Sequence, residues 1–143
     1  MGIPVLILGE SGSGKSASMR NFDPAKVAVF NVAGKPLPFR AKLASMSTVR
    51  TKESIRRINY DDIRASLARG KYKTYIIDDS QYIMANEFFD RANEKGYDKF
   101  VDIGVHFRDI IHTVNNKLAD DVIVYFLHHP EMDVNTGRMK AKT

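Results

Sequence analysis

The stretch Gly9-Glu10-Ser11-Gly12-Ser13-Gly14-Lys15-Ser16 fits the pattern G-x-x-x-x-G-K-[ST], which is that of the phosphate-binding P-loop. An apolar run precedes it and predicts a strand over residues 2–8. The residues from Lys15 onward predict a first helix over residues 15–21. Because the motif requires a strand before it and a helix after it, these flanks favour a P-loop over a chance match in a turn rich in glycine and serine.

The residue types of this loop suit a nucleotide. Glycines let backbone N–H groups turn towards phosphate oxygens, and the N-terminus of a helix adds the positive end of its dipole. We expect Lys15 to contact the β- and γ-phosphates of ATP, and the Ser16 hydroxyl to bind Mg²⁺. The predicted nucleotide-binding residues are Gly9, Glu10, Ser11, Gly12, Ser13, Gly14, Lys15, Ser16 and Ala17.

The composition is that of an ordinary globular protein, with 43% hydrophobic and 27% charged residues among 143. This length predicts one domain, residues 1–143. The absence of cysteine excludes disulfides, thiolate nucleophiles and cysteine-based zinc sites, and it is compatible with a reducing cytoplasm. The sequence shows neither a signal peptide nor an apolar run of about 18 residues, so we expect a cytoplasmic protein with no membrane partner.

Positive charge is concentrated between Lys35 and Lys73. This segment contains eleven Lys or Arg residues and three acids, which gives it a charge of +8. The whole chain carries +5, so the remainder sums to −3. A basic segment within a mildly acidic domain favours a nucleic-acid partner, and a solvated surface is the alternative.

Apolar strands alternate with helices along the rest of the chain. Strands are predicted at residues 27–30, 75–79 and 122–127, and helices at 60–70, at 81–95 and from Asp98 over about five turns. Residues 39–59 fit short extended pieces or a helical turn, and Asn135-Thr136-Gly137 predicts a hairpin within residues 131–143. This alternation predicts a three-layer α/β fold with a mainly parallel sheet.

Two carboxylates, Asp78 and Asp79, end the predicted strand about sixty residues after Lys15. This arrangement is typical of a Walker B strand, whose carboxylate holds Mg²⁺ through water because Mg²⁺ keeps most of its hydration shell. We therefore expect Asp78 to bind the metal together with Ser16. Asp79 points to the other face if the strand continues, so it is either a catalytic residue or an acid that ends the strand.

His128 follows the most strand-like run of the chain. Since ligands lie at the carboxyl ends of parallel strands, we expect Gly9, Asp78 and His128 to surround one phosphate. His128 would then sense the γ-phosphate or orient water, and a solvated histidine is the alternative. The predicted catalytic residues are Lys15, Asp78, Asp79 and His128.

Arg138, Lys140 and Lys142 alternate at a period of two, so on a strand they would point the same way. Such a row could reach the nucleotide of a neighbouring subunit or contact DNA. A solvated edge strand is the alternative, because edge strands often carry lysine.

Taken together, these motifs resemble the phage-encoded AAA-type ATP-binding proteins with a RecA-like core, which include the Sak-type single-strand annealing ATPases. The resemblance rests on Gly9–Ser16, on the stretch Asn31-Val32-Ala33-Gly34-Lys35-Pro36-Leu37-Pro38, on Tyr75–Asp79 and on Leu127-His128-His129. It implies a RecA-like core, ATP and Mg²⁺ as cofactors, single-stranded DNA as partner and a role in phage recombination or replication. It also implies assembly into a ring or filament, in which a basic row such as Arg138, Lys140 and Lys142 acts on the next subunit.

Two features depart from that family. RecA-like proteins commonly have a catalytic glutamate at the end of the second strand, where this chain has Asn31, Val32 and Ala33. Glu10, Asp79 or His128 could substitute for it. A further strand and DNA-binding loops would be expected beyond Thr143, so we expect a truncated fragment or a minimal version with an exposed sheet edge.

Three functions remain open from the sequence. The first is a Mg-dependent ATPase that acts on single-stranded DNA. The second is a nucleotide-gated module that binds single-stranded DNA with little turnover, since the glutamate is missing. The third is a small-molecule or nucleoside kinase, which fits less well because the basic segment precedes the Walker B strand.

Overall fold

The computed structural model describes residues 1–10, 13–35, 44–47, 49–50 and 55–142. The strands are β1 (Ile3–Leu8), β2 (Val27–Asn31), β3 (Ala44–Ser47), β4 (Val49–Arg50), β5 (Ile55–Arg56), β6 (Thr74–Asp78), β7 (Ile123–His128), β8 (Pro130–Met132) and β9 (Met139–Ala141). The α-helices are α1 (Tyr60–Arg69), α2 (Gln81–Asp90) and α3 (Asp98–Lys117).

Five strands form one sheet in the order β1-β7-β6-β2-β3, and every neighbouring pair in it is parallel. This arrangement confirms the predicted α/β fold with a parallel sheet. The register pairs Leu8 with His128 and Asn31 with Asp78. The carboxyl ends of β1, β7, β6 and β2 therefore meet at the same edge of the sheet.

The two faces of the sheet pack against different elements. On one face, Ile77 and Phe126 join a core cluster with residues of α1, α2 and α3, including Ile63 and Ile110. On the other face, Ile76 and Leu127 pack with Met19 in a smaller cluster. Because side chains alternate along a strand, Asp78 belongs to the face of Ile76 and His128 to the face of Phe126.

The segment after the Gly9–Ser16 loop differs from the prediction. The helix predicted over residues 15–21 is a 3-10 helix at Ala17–Asn21. Phe22 is already extended (φ −70°, ψ 146°), and Asp23-Pro24 follows it. The residue before a proline avoids the helical region, so the chain has room for only a short, tight helix here.

The other elements follow the prediction with shifted ends. The helix predicted over residues 81–95 ends at Asp90, because Arg91 has a non-helical conformation (φ −107°, ψ 20°). The Arg91 side chain bonds Glu94 and Asp102. The hairpin predicted within residues 131–143 is confirmed as the antiparallel pair of β8 and β9. Between residues 39 and 59, the structure describes three short strands and the irregular residues 57–59. Strand β3 joins the sheet, and β4 pairs with β5. In the described part of the chain, no helix has the length and apolarity needed to cross a membrane.

Helix α1 is fixed at both ends by its own sequence. The Asn59 side chain accepts a bond from Asp62 N at 2.9 Å, and the Asp62 carboxylate accepts one from Asn59 N at 3.1 Å. This reciprocal pair is a capping box, which satisfies N–H groups that the helix itself cannot. At the other end, Gly70 has a φ of +64°, a left-handed conformation that suits glycine and stops the helix.

We expect Asn59→Ala to lower the free energy of unfolding by about 1 kcal/mol, because the cap is lost. Asn59→Asp is the matched control, since aspartate caps equally well and should retain most of the stability. Urea denaturation followed by circular dichroism measures both variants. Equal stability of Asn59→Ala and the unsubstituted chain would contradict this role of the cap.

Candidate functional site

The Gly9–Ser16 loop is closely packed where it leaves β1. A Cβ placed on Gly9 would lie 2.5 Å from Ser13 Oγ and 2.9 Å from Lys15 Cγ, which is closer than real Cβ atoms come. Gly14 has a φ of +94°, which side chains other than hydrogen rarely permit. Both glycines are therefore required by the shape of the loop. Ser11 and Gly12 lie outside the described residues.

Lys15 is turned inward. Its Nζ donates to the backbone carbonyl oxygens of Gly9 at 2.5 Å and Glu10 at 3.2 Å, and only 9% of the residue is exposed. The Glu10 carbonyl also accepts from Ser13 N, whereas Glu10 as a residue is exposed. An ammonium held in this way can exchange the two carbonyls for the oxygens of an anionic ligand.

Ser16 and Asp78 are in direct contact. The Ser16 hydroxyl lies 2.9 and 3.0 Å from the two carboxylate oxygens of Asp78 and donates to them. Burial raises the pKa of Asp78 above its ordinary value, and the neighbouring Asp79 raises it further. The bond from Ser16 and the charge of Lys15 oppose this rise. The site is thus a buried carboxylate whose negative charge is incompletely compensated.

Asp79 contacts His129, which the sequence analysis does not predict as a site residue. Asp79 has a φ of +54°, which is unusual for a residue other than glycine. Its Oδ1 accepts from His129 Nε2 at 3.1 Å, and both side chains are largely buried. Since Nε2 carries the proton in this bond, Nδ1 of a neutral His129 is the nitrogen that can accept another.

The turn from β6 into α2 is bonded to the end of β7 at each of three consecutive positions. Asp79 bonds His129, Ser80 donates from N to Leu127 O at 2.9 Å, and Gln81 Oε1 accepts from His129 N at 3.2 Å. Ser80 Oγ also lies 2.8 Å from His128 Nδ1. These bonds hold the ends of two neighbouring strands together.

The ring of His128 does not join Asp78. It belongs to the opposite face of the sheet, where it meets Phe107 edge-on with ring centroids 5.8 Å apart. Burial lowers the pKa of His128, so the ring is neutral at pH 7. The carbonyl of Lys142 can only accept from Nε2, so Nδ1 accepts from Ser80. His128 reaches the Gly9–Ser16 loop through its backbone, because its carbonyl accepts from Gly9 N at 3.3 Å.

The end of β2 carries a structural amide. Asn31 Oδ1 accepts from Gly34 N at 3.1 Å, and Nδ2 donates to Lys35 O at 2.6 Å. Both functions of the amide are therefore used to hold the turn that follows.

The basic residues selected from the sequence lie in two parts of the described chain, the β8–β9 hairpin and the segment from Lys35 to Lys73. Lys140 lies inside β9 and pairs with Glu131 at 3.5 Å, while Arg138 and Lys142 flank that strand. In the segment from Lys35 to Lys73, Arg57 pairs with Asp90 at 2.7 Å and Lys73 with Asp121 at 3.0 Å. Arg40, Lys42 and Lys52 lie outside the described residues.

The donor set fits magnesium better than a protein-only metal site. Among the described residues, no three His, Asp or Glu side chains cluster as metal ligands. One hydroxyl and one carboxylate in contact, Ser16 and Asp78, provide hard oxygen donors and leave most positions to water or phosphate. This is the way in which Mg²⁺ commonly binds, since it loses its water reluctantly.

Neither a scan against protein-family models nor a search of curated protein sequences finds a match for this chain.

We expect Asp78→Asn to raise the free energy of unfolding, and we expect the size of this gain to depend on pH. The pKa of Asp78 is raised in the folded state, so the unsubstituted protein loses stability as pH rises from the ordinary aspartate range through that raised value. Asparagine removes this loss and retains an oxygen for Ser16. The advantage of the variant should therefore grow from pH 4 to pH 7 in urea denaturation without Mg²⁺, and an advantage independent of pH would contradict the assignment.

Proposed function

We propose that this chain is a P-loop protein that binds Mg-ATP and hydrolyses it. The contact between the Ser16 hydroxyl and the Asp78 carboxylate is the observation that carries this proposal, because these residues are separated by 62 positions. A loop of the sequence pattern G-x-x-x-x-G-K-S and a strand-terminal carboxylate thus meet at one hydroxyl. A chance match to the P-loop pattern would not place Ser16 in contact with this carboxylate.

The residues have the following proposed roles. Backbone N–H groups of the Gly9–Ser16 loop bind phosphate oxygens, and Lys15 exchanges its two carbonyl contacts for the β- and γ-phosphates. Ser16 and Asp78 hold Mg²⁺, which neutralises the charge of the phosphates when it is bound. This cation would also compensate the repulsion that raises the pKa of Asp78.

The pair of Asp79 and His129 is the proposed substitute for the missing glutamate. A water oxygen attacks the γ-phosphorus, its proton passes to Nδ1 of His129, and the bond from phosphorus to the oxygen of ADP breaks. Asp79 keeps the proton of His129 on Nε2 and stabilises the imidazolium that forms. The sequence suggests Glu10, Asp79 or His128 for this task, and the bond to Asp79 favours His129.

Single-stranded DNA is the proposed partner, as the resemblance to RecA-like phage proteins and the basic segment from Lys35 to Lys73 suggest. Self-association into a ring or filament belongs to the same proposal. A nucleotide-gated binding module with little turnover is the second candidate, and Asn31 favours it because the usual position of the base is occupied by a turn-holding amide.

We expect Lys15→Ala to weaken ATP binding in the presence of Mg²⁺ by at least about tenfold, because a charge-assisted contact is lost. Lys26→Ala is the matched control, since Lys26 is an exposed lysine of the loop before β2. Isothermal titration calorimetry measures both affinities. Unchanged ATP affinity in Lys15→Ala would refute the site.

We expect His129→Ala to lower ATP turnover at least about tenfold while ATP affinity changes little, because a general base contributes about 10²–10⁴-fold. Asp79→Asn should lower turnover and shift its pH profile, since asparagine does not stabilise the imidazolium. Phosphate release with and without single-stranded DNA provides the measurement. If the unsubstituted protein binds ATP but releases no phosphate in either condition, the binding-module function replaces the hydrolase.

A further inference from the structure

A cavity of about 510 Å³ opens between α2 and α3, next to the Asp79–His129 pair. Such a volume lies in the range of small-molecule pockets. Its walls are mainly aromatic and aliphatic, and its polar members are Gln81, His129 and Lys142. Three of its aromatic residues are well exposed to solvent: Phe88 at 38%, Phe100 at 50% and Phe89 at 60%. A protein rarely leaves such a group of rings open unless the surface binds something.

Gly104 supports the same conclusion independently. It lies in the interior of α3, where glycine destabilises a helix relative to alanine. A Cβ placed there meets no atom of the described residues within 4 Å, and the residue lines the cavity. Packing in the described part of the chain therefore does not demand glycine. Its effect is to leave the cavity open.

Lysine side chains lie over rings of the cavity. Lys99 Nζ lies 5.4 Å from the ring centroids of both Phe88 and Phe100, and Lys35 Nζ lies 5.9 Å from that of Tyr82. Of the nearby acids, Asp90 pairs with Arg57, whereas Glu87, Glu94 and Asp102 share the single charge of Arg91. Exposed rings with interspersed cations are the composition that binds single-stranded nucleic acid, because bases stack on the rings while cations meet the phosphates.

We propose that this cavity binds an unpaired base of single-stranded nucleic acid. The base stacks against Phe88 and Phe100, and the adjoining phosphate contacts Lys142. Gln81 uses its carbonyl oxygen for His129 N, so its NH₂ group serves the edge of the base. This proposal rests on the proposed function, and it assigns the DNA partner to a site that shares His129 with the phosphate side.

The test fills the cavity without changing a residue of the Gly9–Ser16 loop or Asp78. Gly104→Phe places a ring in the open space, and Val101→Phe is the matched control, because Val101 lies on the same helix with 66% exposure and does not line the cavity. Fluorescence anisotropy with a labelled oligothymidine at low salt measures binding. We expect Gly104→Phe and Phe88→Ala to weaken binding about tenfold or more, and Val101→Phe to bind as the unsubstituted chain does. Thermal denaturation establishes that each variant is folded.

The other outcomes overturn the proposal. Equal oligothymidine binding by folded Gly104→Phe, or no binding by the unsubstituted chain, would refute it. Loss of ATP affinity in Gly104→Phe, measured by calorimetry, would assign the cavity to the nucleotide itself. Self-association that Gly104→Phe abolishes without any change in oligothymidine binding would assign it to a second copy. Because ATP binding is measured separately, failure of this site is distinguishable from failure of the phosphate site.

Discussion

The bonds between the β6–α2 turn and the end of β7 are the constraint on which the functional edge of this protein depends. Asp79, Ser80 and Gln81 each bond a residue of the sequence Leu127–His129. The left-handed conformation of Asp79, with a φ of +54°, is strained for a residue with a side chain. The surrounding bonds offset that strain. They also fix the start of α2, whose residues line the cavity. The same turn therefore connects the cavity to the strand end that carries Asp78.

The alternation of side chains along the parallel strands divides this edge into two environments. Asp78 belongs to the face with Ser16 and Lys15, where an incompletely compensated carboxylate favours a cation. The ring of His128 belongs to the other face, where it is neutral and part of the packing against Phe107. The Asp78 carboxylate and the His128 ring are therefore separated by the sheet.

The sequence predicts the parts of the fold that depend on local pattern. Buried apolar runs predict the parallel strands. The P-loop pattern and the strand-terminal carboxylate predict that Ser16 and Asp78 lie close together. His129 could not be predicted as a site residue, because its bond to Asp79 depends on the left-handed turn after β6, which no local pattern specifies. The role of Gly104 could not be predicted, since it requires the packing of α2 against α3, which no local pattern specifies.

The two proposed functions, hydrolysis and gating, place different demands on this edge. Gating requires only that an occupied loop differ in free energy from an empty one in a way that the DNA site detects. The loop is already joined to β7 by the bond from Gly9 N to His128 O, and β7 is joined through His129 to the cavity. Hydrolysis further requires that His129 reach the attacking water.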